Sequence, residues 1–147
     1  MDADAALGAD LFNKTWALME NETRTAEEDD ELVHCAHASA YHWLVAGTAV
    51  NRARSEWQCS RVYTVLGRPE PALYHAQRCL AICESEPDAL EDWDLPFAYE
   101  ALARAHSAGG DAVEAARCLE RARALGAAIA EDDERALLEA DLATIRA

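Results

Sequence analysis

Glycine and proline are scarce in this chain, and most of them fall at or near the ends of stretches that read as helices. Six glycines and four prolines are spread over 147 residues. Alanine dominates the apolar half. Alanine loses no side-chain entropy in a helix, whereas glycine loses the most backbone freedom and proline removes a donor. A chain so rich in the first and poor in the others is therefore expected to be helical wherever its breakers allow. No segment alternates polar and apolar with period two, so no sheet is predicted.

Breakers and caps divide the chain into seven predicted helices. The first runs from about Ala5 to Glu20 and is broken by NETRTAEEDD. Thr25 followed by Glu28 has the spacing of a capping box, and opens a helix to about Ala46. Gly47 ends it, and Thr48 caps a third helix that runs to Leu66. Gly67 stops that helix, and RPEP restarts the chain near Pro69, because proline is tolerated in a first turn. The fourth helix runs to about Glu84, and ESEPDALEDWD is the longest connector. A fifth helix from about Asp94 to Ala108 ends at Gly109 and Gly110. Asp111 with Glu114 caps a sixth to Leu125, Gly126 follows, and the last spans roughly Asp133 to Ile145. Short connections make neighbouring helices antiparallel. Isolated helices of this length are marginal in water, so packing must hold them. The length suits a single domain, 1–147.

The formal net charge is −15, from 28 acidic against 13 basic residues. That sign repels nucleic-acid phosphates and anionic membranes, so neither is expected as a partner. The acidic runs at Glu27–Glu31, Asp92–Asp94 and Glu131–Glu134 fall at helix starts. There a carboxylate meets the positive end of the helix dipole, for roughly 0.3–1 kcal/mol each. The opening MDADAALGAD lacks an apolar run and no secretory signal is expected. No stretch reaches the length of a membrane span. Five scattered cysteines are not a disulfide framework, and a cytoplasmic protein with free thiols is expected.

Two segments resemble one another, EWQCSRVYTVLGRPEPALYHAQRCLAI from Glu56 and YEALARAHSAGGDAVEAARCLERARAL from Tyr99. Aligned on Gly67 and Gly110, both read helix, small residue, ring, glycine turn, alanine, second helix. One copy supplies Tyr99, Leu102, Ala103 and His106, then Ala115 and Leu119. The other supplies Glu56, Cys59, Ser60 and Tyr63, then Ala72 and Ala76. This resembles the tetratricopeptide repeat over roughly residues 50–126. It departs in having Glu56 for the usual aromatic, His106 for the usual tyrosine, and a 43-residue step. The resemblance implies an all-α superhelix of antiparallel hairpins. Residues 5–46 would form a degenerate first pair, and the last helix a solvating cap.

The resemblance also implies a concave groove lined by the first helix of each pair, formed by Arg54, Trp57, Arg61 and Thr64, then Phe97, Glu100, Arg104 and Ser107. Arg61 and Arg104 are equivalent, as are Thr64 and Ser107. Two arginines beside Trp57 and Phe97 suggest a clamp for a carboxylate of a peptide or protein. The competing reading pairs those arginines internally with Glu56 and Glu100. The implied function is a binding scaffold without chemistry of its own and without a cofactor. Self-association through exposed repeat edges is a further option.

HCAHASAYHW, residues 34–43, raises a metal alternative. His34, His37, Ala38 and Tyr41 share one helical face. Leu32, Val33, Ala36, Ala40 and Trp43 share a roughly opposite one, and the helix is expected to be sandwiched between them. Cys35 and His42 point to a third side. His34 and His42 lie about 12 Å apart along the axis, so the three histidines cannot share an ion. Glu31-x-x-His34 has the spacing of carboxylate-bridged metal bundles, but no second such motif exists. A metal-binding protein or metalloenzyme would use His34 and His37 with Glu56, His75 and Glu100. Cys79 and Cys83, one turn apart, read as small core residues. No Ser-His-Asp or Cys-His-Asp order and no phosphate loop stands out.

Overall fold

The computed structural model describes residues 2–146. These form seven α-helices and no strand: α1 Ala3–Glu20, α2 Ala26–Ala46, α3 Ala49–Val65, α4 Pro69–Ser85, α5 Asp94–Ala108, α6 Ala112–Gly126 and α7 Asp132–Leu142. The one departure from the predicted element order is a short 3-10 turn, Pro87–Ala89, inside the long acidic connector. The helix starts follow the caps. Thr25 Oγ1 accepts from the Glu28 amide while Glu28 Oε1 accepts from the Thr25 amide, each at 3.1 Å. Asp111 Oδ1 accepts from the Glu114 amide.

The two aligned glycines are the only described residues with positive φ, Gly67 at 71° and Gly110 at 82°. Both close the same C-terminal motif. The amide of Arg68 donates to Tyr63 O and that of Gly67 to Thr64 O. In the second copy Asp111 donates to His106 O and Gly110 to Ser107 O. Left-handed backbone at this position strains a side chain by about 1–2 kcal/mol, so glycine is required by the turn.

Cross-helix bonds fix the directions. Asp4 meets His42, Gly8 meets Ser39 and Lys14 meets Glu31, so α1 and α2 run antiparallel. Glu56 meets His75 and Ser60 meets Ala72, so α3 and α4 do the same. By contrast, Arg54 meets Asp94 and Trp57 meets Glu100, partners that advance together along both helices and make α3 and α5 parallel. Phe12 with Gln58 and Trp16 with Trp57 bring α1 beside α3, and the two-residue turn Gly47–Thr48 folds α3 back along α2, so α1 and α3 run the same way. Arg104 with Thr144 and Ser107 with Arg146 carry the same direction from α5 along α7 into the tail. The molecule is thus two layers. One holds α1, α3, α5 and α7 side by side and parallel; the other holds α2, α4 and α6, running the opposite way.

Small residues set the spacing between the layers. Ala72, Ala76, Ala103, Ala115 and Ala122 are wholly buried, as is Ser60, whose hydroxyl donates to Ala72 O at 2.8 Å. Adding methyl groups at such a contact overpacks it, for about 1–3 kcal/mol. The larger apolar side chains fill the space between pairs, among them Leu32, Val62, Leu102, Leu119, Leu138 and Leu142.

The packing of α2 corrects one expectation. The helix is sandwiched, but between its Leu32/Ala36 face, which meets α3, and its Cys35/Ser39/His42 face, which meets α1. His34, His37 and Tyr41 are exposed. Cysteine and serine, small enough to enter a tight helix contact, took the side that the ring-bearing face was expected to fill.

Candidate functional site

The parallel layer encloses a cavity of about 560 Å³. Each helix of the layer supplies a wall: Phe12 and Trp16 from α1, Arg54, Trp57 and Arg61 from α3, Phe97 from α5, and Leu137 from α7. Trp93, the residue before α5, closes one end, and Cys79 and Cys83 of α4 form part of the floor. The rings pack edge to face. Trp57 and Trp93 each meet Phe97 near 90°, and Trp16 lies 5.5 Å from Trp57. Such ring pairs hold one another in place, by about 0.5–1.5 kcal/mol each beyond the area they bury, so the walls are fixed before anything enters.

One buried carboxylate organises the far wall. Glu100 is wholly buried on α5. Its Oε1 accepts from Trp57 Nε1 at 2.9 Å, and its Oε2 accepts from Arg104 Nε at 2.8 Å and Arg61 Nη1 at 3.5 Å. Arg61 also lies 3.8 Å from Asp141 of α7. Burial, and then the neighbouring Arg104, hold the Arg61 guanidinium below its ordinary pKa. The near wall repeats the device. Arg54 is bidentate to Asp94, at 2.9 and 3.1 Å, and its guanidinium lies 4.0 Å over the Trp93 ring.

The eight groove positions therefore separate. Arg54, Trp57, Arg61 and Phe97 face the cavity, and Glu100 lies behind Trp57 and Arg61. Thr64, Arg104 and Ser107 border a smaller hollow that the C-terminal segment flanks, with Arg104 donating to Asp141 O and Thr144 Oγ1, and Ser107 donating to Arg146 O. Arg61 and Arg104 already share the Glu100 carboxylate, and an incoming acid would have to displace it.

The metal alternative does not converge. Glu100 belongs to the arginine cluster. Glu56 Oε2 pairs with His75 Nδ1 at 2.6 Å, and His37 Nε2 meets the Tyr63 hydroxyl at 2.8 Å. The His37 and His75 rings are 5.3 Å apart, and His34 stands exposed on α2. Among the described residues no group of three or more histidines, cysteines or acids is placed to hold an ion. Partial burial, then His75, lowers the His37 pKa.

Phe12, Trp16, Trp93 and Leu137 escaped the sequence reading. The groove was carried over from two copies only, leaving α1 and α7 without assigned positions. The 41-residue step from Trp16 to Trp57, close to the 43-residue repeat, was the available signal. Cys79 and Cys83 are buried as expected, yet they also reach the cavity floor. The hydrogen bond between them raises the Cys79 thiol well above its ordinary range and lowers that of Cys83.

Fold and site together define an all-α protein of stacked hairpins with an aromatic cavity across one helical layer. No protein-family model, curated protein or solved structure matches the chain. No helix among the described residues is long and apolar enough to cross a membrane.

Proposed function

We propose that this protein is a non-catalytic binding scaffold of tetratricopeptide type, whose groove takes a segment of another protein. The observation that carries the reading is the cavity itself. It lies across four parallel helices drawn from successive hairpins, which is where the repeat resemblance puts a groove. Its walls are rigid aromatic rings, the side chains that most often anchor a partner. Two features favour binding over chemistry. The buried carboxylates Glu100 and Asp94 are each held by arginine. The cavity thiols, Cys79 and Cys83, hydrogen-bond each other, and no histidine to activate them lies among the described residues that line the cavity.

A site-specific photocrosslinker tests this. Placed at Leu137, which is 59% exposed and borders the cavity, it should capture a discrete protein in cells that make this chain. Placed at Val113, 76% exposed on α6 in the other layer, it should not. Equal capture from both positions, or none from the cavity, would refute the scaffold reading.

A further inference from the structure

We infer that the cavity selects a basic segment, one that lays the stem of a lysine or arginine against the rings and its charged head toward the acidic mouth. This rests on the groove reading above. Three independent features set the sign of the charge.

The bases of the cavity are already spent. Arg54 is held by Asp94, and Arg61 by Glu100 and Asp141. Among the described residues that line the cavity, no other cation remains to attract an acid.

The mouth is acidic, its carboxylates outnumbering the one base, Arg54, that borders it. A depression continuous with the cavity, sharing Arg54, Trp93 and Glu134 with it, is lined by Glu91, Asp92 and Glu131. None of Glu91, Asp92, Glu131 and Glu134 forms an ion pair among the described residues. Partial removal from water, and then repulsion from Glu131, Asp92 and Glu91, raises the Glu134 carboxyl above its ordinary range against the opposing pull of Arg54. A cation brought here relieves repulsion between carboxylates as well as pairing with them.

The rings already hold a cation. The Arg54 guanidinium over Trp93 is the arrangement an incoming lysine or arginine would repeat on Trp16 or Trp57. A ring face attracts a cation through its quadrupole, more strongly as water is excluded. The long apolar stems of both side chains suit an aromatic wall. An acidic segment would meet carboxylates at the entrance.

The test is selection of random dodecapeptides displayed on phage against the full chain. Binding of the recovered sequences is then followed by tryptophan fluorescence, since Trp16, Trp57 and Trp93 line the cavity. Lysine or arginine should be enriched at one position, and its exchange for norleucine should weaken binding about tenfold. The double variant Glu131→Gln/Glu134→Gln should weaken it about fivefold, the scale of a partly exposed ion pair. Raised salt should abolish that difference. Peptides that are neutral or acidic at every position, lose affinity with Leu137→Ala and ignore the glutamate changes would overturn the basic preference and leave the groove standing. No enriched peptide, or binding indifferent to Leu137→Ala, would overturn both. Leu137 is exposed, so its truncation leaves the fold intact.

Discussion

Glu100→Gln isolates the charge that holds the far wall together. The amide keeps the shape and can still accept from Trp57 Nε1, but Arg61 and Arg104 lose the carboxylate between them. Removing one partner of a buried ion pair costs about 3–5 kcal/mol, chiefly because the other charge is left uncompensated. Here the lower end applies. The arginine side chains keep 19% and 15% of their exposure, and Asp141 still lies beside Arg61. The expected loss is about 3 kcal/mol, a large share of the 5–15 kcal/mol that holds a domain of this size. In urea, with a slope of about 2 kcal/mol per molar, the midpoint should fall by about 1.5 M at unchanged slope. Adding Arg104→Met to the variant should recover part of the loss, with a coupling of more than 1 kcal/mol. A midpoint shift under about 0.5 M, or strict additivity of the two changes, would refute the reasoning. The arginines would then find water as good a partner as Glu100.

Gly67→Ala and Gly110→Ala should each destabilise the protein by about 1 kcal/mol, and equally, since both positions are left-handed and a Cβ there meets open space; Gly109→Ala, in helical backbone with ordinary contacts, should be neutral or stabilising in the same melts. Stability should fall as pH drops below about 6.5, because partial withdrawal of the His37 ring from water, with His75 and His34 and against the opposing pull of Glu56, lowers its pKa, so that it binds its proton more readily when unfolded; urea titrations across pH 5–8 should show a shallower slope for His37→Gln. Iodoacetamide at pH 8, followed by peptide mass spectrometry, should label Cys83, which borders the cavity, well before Cys59, whose thiol burial pushes up to about 12.

The helices were legible because their punctuation is local. Thr25 and Glu28, Gly67, Gly110, and Asp111 with Glu114 act on the backbone within a turn of themselves, and each falls where the structure uses it. The 43-residue step was legible too, and Trp57 touching Glu100 is its direct expression. The orientation of α2 was not, because Cys35 and Ser39 give no period of their own and acquire a side only when α1 arrives. The pairing of the acids also depended on tertiary geometry. Glu56 and Glu100 looked interchangeable as partners for arginine, yet Glu56 faces α4 and meets His75, while Glu100 faces α3 and is buried. Half the cavity was hidden because its rings come from α1 and the connector before α5, outside the two copies that align.

The four walls of the cavity belong to four separate passes of the chain, and along the chain each is linked to the next only through an intervening helix of the other layer. The width of the cavity is therefore set by how the whole stack packs. Displacing any one of these helices changes the gap between Trp16 and Leu137, so a contact between hairpins far from the cavity helps set what fits inside it.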